Sequence, residues 1–150
     1  MMAELKHIVL AEDNANDVEL TLTALRENHV INEVVVVRDG EEAIDYLCRR
    51  NRYADRPSGN PALVLLDLKM PKVDGIEVLR HIKSDPALRS IPVVVLTSSR
   101  EEQDLVRTYD LGVNAYVVKP VDFHEFIDAV KLLGGFWAVV NETPPAMPRV

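Results

Sequence analysis

Three carboxylates, a threonine and a lysine stand at the carboxyl ends of short apolar runs. Glu12 and Asp13 follow "HIVLA" (7–11), Asp67 closes "ALVLLD" (62–67), Thr97 closes "PVVVLT" (92–97) and Lys119 closes "AYVVK" (115–119). A charge at the mouth of a buried run is unfavourable unless something there uses it. If the tips converge, three carboxylates in one crevice repel one another, which favours either proton uptake or a cation. Lys119 brings one positive charge. Mg²⁺ brings two, takes hard oxygen ligands at about 2.0–2.1 Å and keeps several waters. With Lys119 and Thr97 beside it, such a set can hold a phosphoryl group. Asp67 then becomes a carboxylate nucleophile able to form an acyl phosphate, with Mg²⁺ and Lys119 offsetting charge on the moving group.

The elements that must bring these residues together are legible as hydrophobic patterns. The four runs above and "VVVV" (34–37) barely alternate and are rich in Val and Ile. Such runs suit strands of a parallel sheet covered on both faces. Between them lie helical faces: Val18, Leu22 and Leu25; Ala43, Ile44 and Leu47; Ile76, Leu79 and Ile82; Leu105, Val106 and Tyr109; and Phe123, Phe126, Val130, Leu133 and Trp137. Asn16, Asp39, Asp74, Ser99 and Asp122 each have a glutamate three residues on, a capping signature for each helix start. Strand–helix alternation repeated five times predicts an α/β fold: a flavodoxin-like (βα)5 three-layer sandwich with a parallel sheet in the order 2-1-3-4-5. In that order the strand sequence reverses between the first and third strands, where ligands of open α/β sheets bind. Glu12, Asp13 and Asp67 would converge there. The segment 51–60 is the longest loop. Residues 1–140 are expected to form one domain and the Pro-rich 141–150 a flexible tail.

Composition narrows the function. A chain of 150 residues with 47% hydrophobic and 27% charged residues is an ordinary soluble mix. A net charge of −7 argues against nucleic acid or an anionic membrane as partner. No apolar run approaches the roughly 20 residues needed to span a bilayer, and the N-terminus lacks a signal-peptide core, so the expected location is the cytoplasm. The single cysteine, Cys48, reads as a small core hydrophobe. His7, His29, His81 and His124 have no metal-ligand spacing and read as surface or packing residues. Arg49, Arg50, Arg52 and Arg56 read as a solvated edge beside the long loop.

The segments "LAEDN" (10–14), "LLDLKMPKVDG" (65–75), "VVVLTSS" (93–99) and "VVKPVD" (117–122), in this order, resemble a response-regulator receiver domain of two-component signalling. The resemblance implies that Asp67 accepts a phosphoryl group from a sensor histidine kinase or a phosphotransfer protein. It implies Mg²⁺ held by Asp13, Asp67 and the Lys69 carbonyl, with Glu12 acting through a metal-bound water. Thr97 would hydrogen-bond the phosphoryl oxygen, Lys119 would pair with it, and the Lys119–Pro120 bond would be cis. Thr97 and Tyr116 would form the switch, read out on the fourth helix, fifth strand and fifth helix. The side chain of Lys69 would tune acyl-phosphate lifetime. More narrowly, "AEDNANDVELTLTAL", "VRDGEEAIDYL" and "GFWAVVNETPP" are similar to the single-domain regulators paired with bacterial phytochrome kinases. That implies a light-signalling phosphoacceptor with no output domain, and no enzyme beyond weak self-phosphotransfer and autophosphatase activity. Phe136, Trp137 and Val140 carry more apolar surface than one helix face needs and are expected in a homodimer contact.

Other functions fit less well. A phosphohydrolase using an aspartyl phosphate commonly needs a second acid near the nucleophile, and Lys69 holds the position two residues on. A flavin carrier on the same fold needs a first loop that welcomes phosphate, whereas "AEDNAND" is acidic and lacks glycine. An adaptor independent of phosphorylation has no use for the acidic set. Asp74 and Gly75 read as no more than the start of the third helix.

Overall fold

A computed structural model describes residues 6–27, 30, 32–57, 59–97, 115–119, 122, 124–126 and 128. The strands are β1 (Ile8–Ala11), β2 (Val34–Val37), β3 (Leu63–Asp67), β4 (Val93–Thr97) and β5 (Tyr116–Val118). The helices are α1 (Ala15–Glu27), α2 (Gly40–Cys48) and α3 (Gly75–Ser84), with a 3₁₀ turn at Asn51–Tyr53. All strand pairs are parallel and the sheet order is β2-β1-β3-β4-β5, as the sequence predicts. The expected fourth helix lies outside the described residues. Of the fifth, residues 124–126 and 128 are described and helical. Among the described residues no helix is long and apolar enough to cross a membrane.

Alternate residues of the sheet feed two cores. Val9, Ala11, Val64, Leu66, Val93 and Val95 pack with Ala43, Tyr46 and Leu47 of α2 and Ile76, Val78, Leu79 and Ile82 of α3. Ile8, Leu10, Leu63, Leu65, Val94, Leu96 and Val117 pack with Val18 and Leu25 of α1 and with Phe126. A fully buried Ile, Leu or Phe contributes about 1.5–3 kcal/mol relative to exposure, so both faces need their helices. β1 and β3 are buried along their whole length, while the edge strands β2 and β5 are partly exposed. The uniform apolar runs therefore hold two-sided burial at the centre and only one-sided burial at the edges.

Asp39, Asp74 and Asp122 accept the backbone N–H of Glu42, Glu77 and Glu125 at 2.7, 2.9 and 3.1 Å, so three of the expected caps are in place. Ser99 lies outside the described residues. The first cap is corrected: Asn14, not Asn16, caps α1, its Oδ1 accepting the Asp17 N–H at 3.0 Å. Both asparagines have an acidic residue three positions on, and the helix starts at the earlier one.

The arginine cluster is corrected at Arg56 alone. Arg56 lies over the Tyr46 ring at 4.4 Å and donates to the carbonyls of Tyr46 (2.7 Å), Pro57 (2.9 Å) and Gly59 (3.2 Å). Arg49 donates twice to the Arg56 carbonyl. These guanidiniums satisfy carbonyls at the end of α2 and in the loop after it, which water would otherwise have to reach. Arg49, Arg50 and Arg52 are exposed, as a solvated edge requires, while Arg56 is half-buried scaffold.

Candidate functional site

The parallel register sets the site. Ala11 pairs with Leu66, so the next residues, Glu12 and Asp67, emerge side by side from β1 and β3. Asp67 pairs with Leu96, and Thr97 pairs with Val118, the residue before Lys119. The ends of β1, β3, β4 and β5 thus meet at one rim, where the strand order reverses. Glu12 is fully buried and Asp67 is 4% exposed. One oxygen from each of Glu12, Asp13 and Asp67 lies within 4.8 Å of the others.

Lys119 enters from β5 with its side chain only 8% exposed. Its Nζ donates to Glu12 Oε1 and to Asp17 Oδ2, both at 2.8 Å, and stands 3.5 Å from Asp67 Oδ1. The nearest partners of Lys119 are therefore Glu12 and Asp17 rather than Asp67. Asp17 is a partner of the rim lysine that sequence reasoning missed. With the α1 cap placed at Asn14, Asp17 falls in the first helical turn facing the rim, which would have flagged it.

The electrostatics follow from this crowding. Burial pushes Glu12 up; Lys119 pulls it back; the charge of Asp67 and a hydrogen bond to it push it up again. The result is about 7. Burial alone would lower the Lys119 ammonium, but its hydrogen bonds to Asp17 and Glu12 and the charge of Asp67 overcome that and raise it. Lys119 stays charged while Glu12 titrates near neutrality. Among the described residues, the buried set holds more negative charge than Lys119 balances. Its donors are hard carboxylate oxygens from three residues, which fits Mg²⁺ or a similar divalent cation.

Two glycines fix the rim. A Cβ on Gly75 would overlap the Asp67 carbonyl oxygen and come within 2.6 Å of Leu68 Cα. The Gly75 N–H donates to the Leu68 carbonyl at 2.9 Å. A Cβ on Gly40 would overlap the Val73 carbonyl and lie 2.8 Å from Val73 Cβ. Gly75 thus does more than start α3: it lets the helix close onto the backbone of Asp67. Gly to Ala in a helix ordinarily gains about 1 kcal/mol. Here Gly75→Ala is expected to lose about 2 kcal/mol through forced backbone shifts. Urea unfolding checks the sign, and a stabilised variant would refute the close contact.

The remaining predicted residues are placed as follows. Lys69 has an exposed side chain, and its N–H points at Asp67 Oδ1 over a long 3.4 Å. Thr97 ends β4 beside the site by register. Tyr116 is 37% exposed and pairs with Val95. Pro120, Phe136, Trp137 and Val140, and with them the cis peptide, the dimer contact and the boundary at 140, lie outside the described residues.

The family model for the response regulator receiver domain matches residues 8–131. The chain belongs to this family. Rcp1, a response regulator from Synechocystis sp., is 38% identical over 141 residues, covering 94% of this chain and 95% of Rcp1. The structure of the bacteriophytochrome response regulator AtBRR superposes with a TM-score of 0.87 at 63% identity, over 93% of this chain and 100% of AtBRR. The phosphorylated cyanobacterial phytochrome response regulator RcpA superposes at 0.74 with 47% identity, over 89% of this chain and 94% of RcpA. The chain is therefore a receiver domain whose relatives include phytochrome-associated response regulators. Receiver domains bind a divalent metal, and Rcp1 has been solved in a Mn²⁺-bound form. A receiver domain implies a sensor kinase as partner.

Proposed function

We propose that this receiver domain takes a phosphoryl group from a phytochrome-type sensor histidine kinase, or from a phosphotransfer protein, onto Asp67 in the presence of Mg²⁺. One observation carries the reading: Asp67 is buried at the rim with Glu12 on one side and the Lys119 ammonium 3.5 Å away. An isolated buried carboxylate has little use beyond this pairing, whereas a nucleophile needs its oxygen aimed, dry and flanked by positive charge.

In the proposed reaction a carboxylate oxygen of Asp67 forms a bond to phosphorus as the P–N bond of the donor phosphohistidine breaks. The electron pair of that bond returns to the imidazole. Asp13, Asp67 and the Lys69 carbonyl would hold Mg²⁺, with Glu12 assisting through a water, and the ion would supply positive charge that offsets the phosphoryl oxygens. Lys119 leaves its close contacts with Glu12 and Asp17 to pair with the phosphoryl group. Thr97, at the adjoining strand end, donates to a phosphoryl oxygen, and Tyr116 on β5 is the aromatic that would turn inward as that pairing forms. The added charge at the rim thereby biases a packing element on β4 and β5. Lys69, exposed beside the nucleophile, sets how readily water reaches the acyl phosphate. Phe136, Trp137 and Val140 are proposed to contact a second copy of the chain.

Acetyl phosphate with Mg²⁺, followed by intact mass, tests the acceptor. The wild type is expected to gain one phosphate and Asp67→Asn none; a gain in both places the acceptor elsewhere. Phosphotransfer from a phytochrome kinase that outpaces transfer from other histidine kinases would support the pairing, and equal rates would remove it.

A further inference from the structure

A second cluster of metal-ligating side chains lies between α2 and α3. Cys48 is the last residue of α2, His81 lies in the last turn of α3, and Asp85 is its C-cap. Cys48 Sγ and His81 Nε2 are 3.2 Å apart, and one ligand atom from each of the three residues lies within 4.8 Å of the others. All three side chains are half-buried. The α3 helix has ten residues, a length of about 15 Å, and starts against the Asp67 backbone. The cluster therefore sits at the opposite end of the helix from the phosphoacceptor rim and has no part in the reaction proposed there.

We infer that Cys48, His81 and Asp85 form a binding site for a borderline-soft divalent cation of the zinc class. Cys, His and Asp are zinc's own donor types, with bonds of about 2.3, 2.0–2.1 and 2.0–2.2 Å. Tetrahedral geometry with those lengths puts donor atoms roughly 3.5 Å apart. The cluster's spacings, 3.2 Å between Cys48 and His81 and at most 4.8 Å to Asp85, bracket that value, and water would take the fourth position. His81 and Asp85 are four apart and so share one face of the helix end. The Ala87 N–H donates to Asp85 Oδ1 at 2.8 Å and orients the carboxylate. Both helices end here, so their negative dipole ends favour a cation at this point. The left-handed Arg49 (φ 56°) ends α2 directly after Cys48 and keeps the thiol at the helix terminus. A groove of about 630 Å³ lined by Ile44, Val73, Glu77, Arg80, His81, Lys83 and Ser84 opens onto His81, and its two cations, Arg80 and Lys83, are offset in part by Glu77. Such a cation would staple the carboxyl ends of α2 and α3.

Cobalt(II) tests this directly, because Cys48 is the only cysteine and a thiolate-to-cobalt charge-transfer band can arise nowhere else. Co²⁺ is titrated into the full chain with excess Mg²⁺ to occupy the acidic rim. One equivalent is expected to raise the band in the wild type and in Asp67→Asn, and one equivalent of Zn²⁺ to abolish it. Cys48→Ser should lose the band, and His81→Ala or Asp85→Asn should weaken Co²⁺ binding at least tenfold; circular dichroism confirms that each variant folds. No band in the wild type overturns the inference. So does a band that His81→Ala and Asp85→Asn leave at full affinity, since the thiol would then bind alone, and so does a stoichiometry of one cobalt per two chains.

Discussion

Lys119→Met is expected to destabilise the metal-free protein by about 3–5 kcal/mol at pH 8, the range for removing one partner of a buried ion pair. Methionine keeps much of the volume but leaves Glu12 and Asp67 facing each other in the interior without a cation, next to Asp13 and Asp17. The effect should be far larger than at an exposed pair. Arg80 and Glu77 stand 2.6 Å apart with side chains 57% and 55% exposed, and Arg80→Met should cost about 0.5 kcal/mol or less. Added Mg²⁺ should recover a large part of the loss in Lys119→Met, because two positive charges replace the missing one. Urea unfolding with and without a chelator measures both. A loss for Lys119→Met no larger than for Arg80→Met would mean that the lysine does not hold the rim together.

The contrast between Lys119 and Arg80 also explains what could be read from the sequence. The fold was legible because burial on both faces of a central parallel sheet leaves a uniform apolar signature, seen in "IVLA" and "LVLLD". The site was legible because its polar residues stand where those signatures stop, and the order 2-1-3-4-5 brings the stops to one rim. What escaped were relations between elements distant in sequence. Asp17 lies on α1 and Lys119 just after β5, 102 residues apart, and only the correct cap at Asn14 would have turned Asp17 toward the rim. Gly75 looked like helix-start chemistry because a missing Cβ gives no sign of the backbone it makes room for. Arg56 looked solvated because carbonyl acceptors have no side-chain signature. Cys48 and His81 meet across a helix pair, so no spacing rule could join them.

Glu12 gives the other large effect, and its sign runs against the usual carboxylate. Most carboxylates in folded proteins gain partners and lose stability as pH falls; Glu12 is held up at about 7 against 4.5 when unpaired. Below pH 4.5 both folded and unfolded chains carry the proton, and the contribution is fully present. Between 4.5 and 7 the unfolded chain has released the proton while the fold still holds it, so stability from this group declines as pH rises. Above 7 it is gone, a total of about 3 kcal/mol. The groups facing Glu12 are the Lys119 ammonium, the Asp67 and Asp13 carboxylates and the Asn14 N–H, with Asp17 behind the lysine. Lys119 stays charged across this window, so the slope belongs to the carboxylates. In chelator, urea unfolding from pH 5.5 to 8.5 should show this decline in the wild type, and Glu12→Gln should remove most of it. A divalent cation competes with the same proton. Mg²⁺ affinity should therefore rise up to tenfold per pH unit below 7 and level off above it. Calorimetry at pH 6 in buffers of different ionisation enthalpy should detect nearly one proton released per Mg²⁺ bound. Release of no proton at pH 6, together with an unchanged slope in Glu12→Gln, would show that the buried glutamate is already ionised and that Lys119 alone balances it.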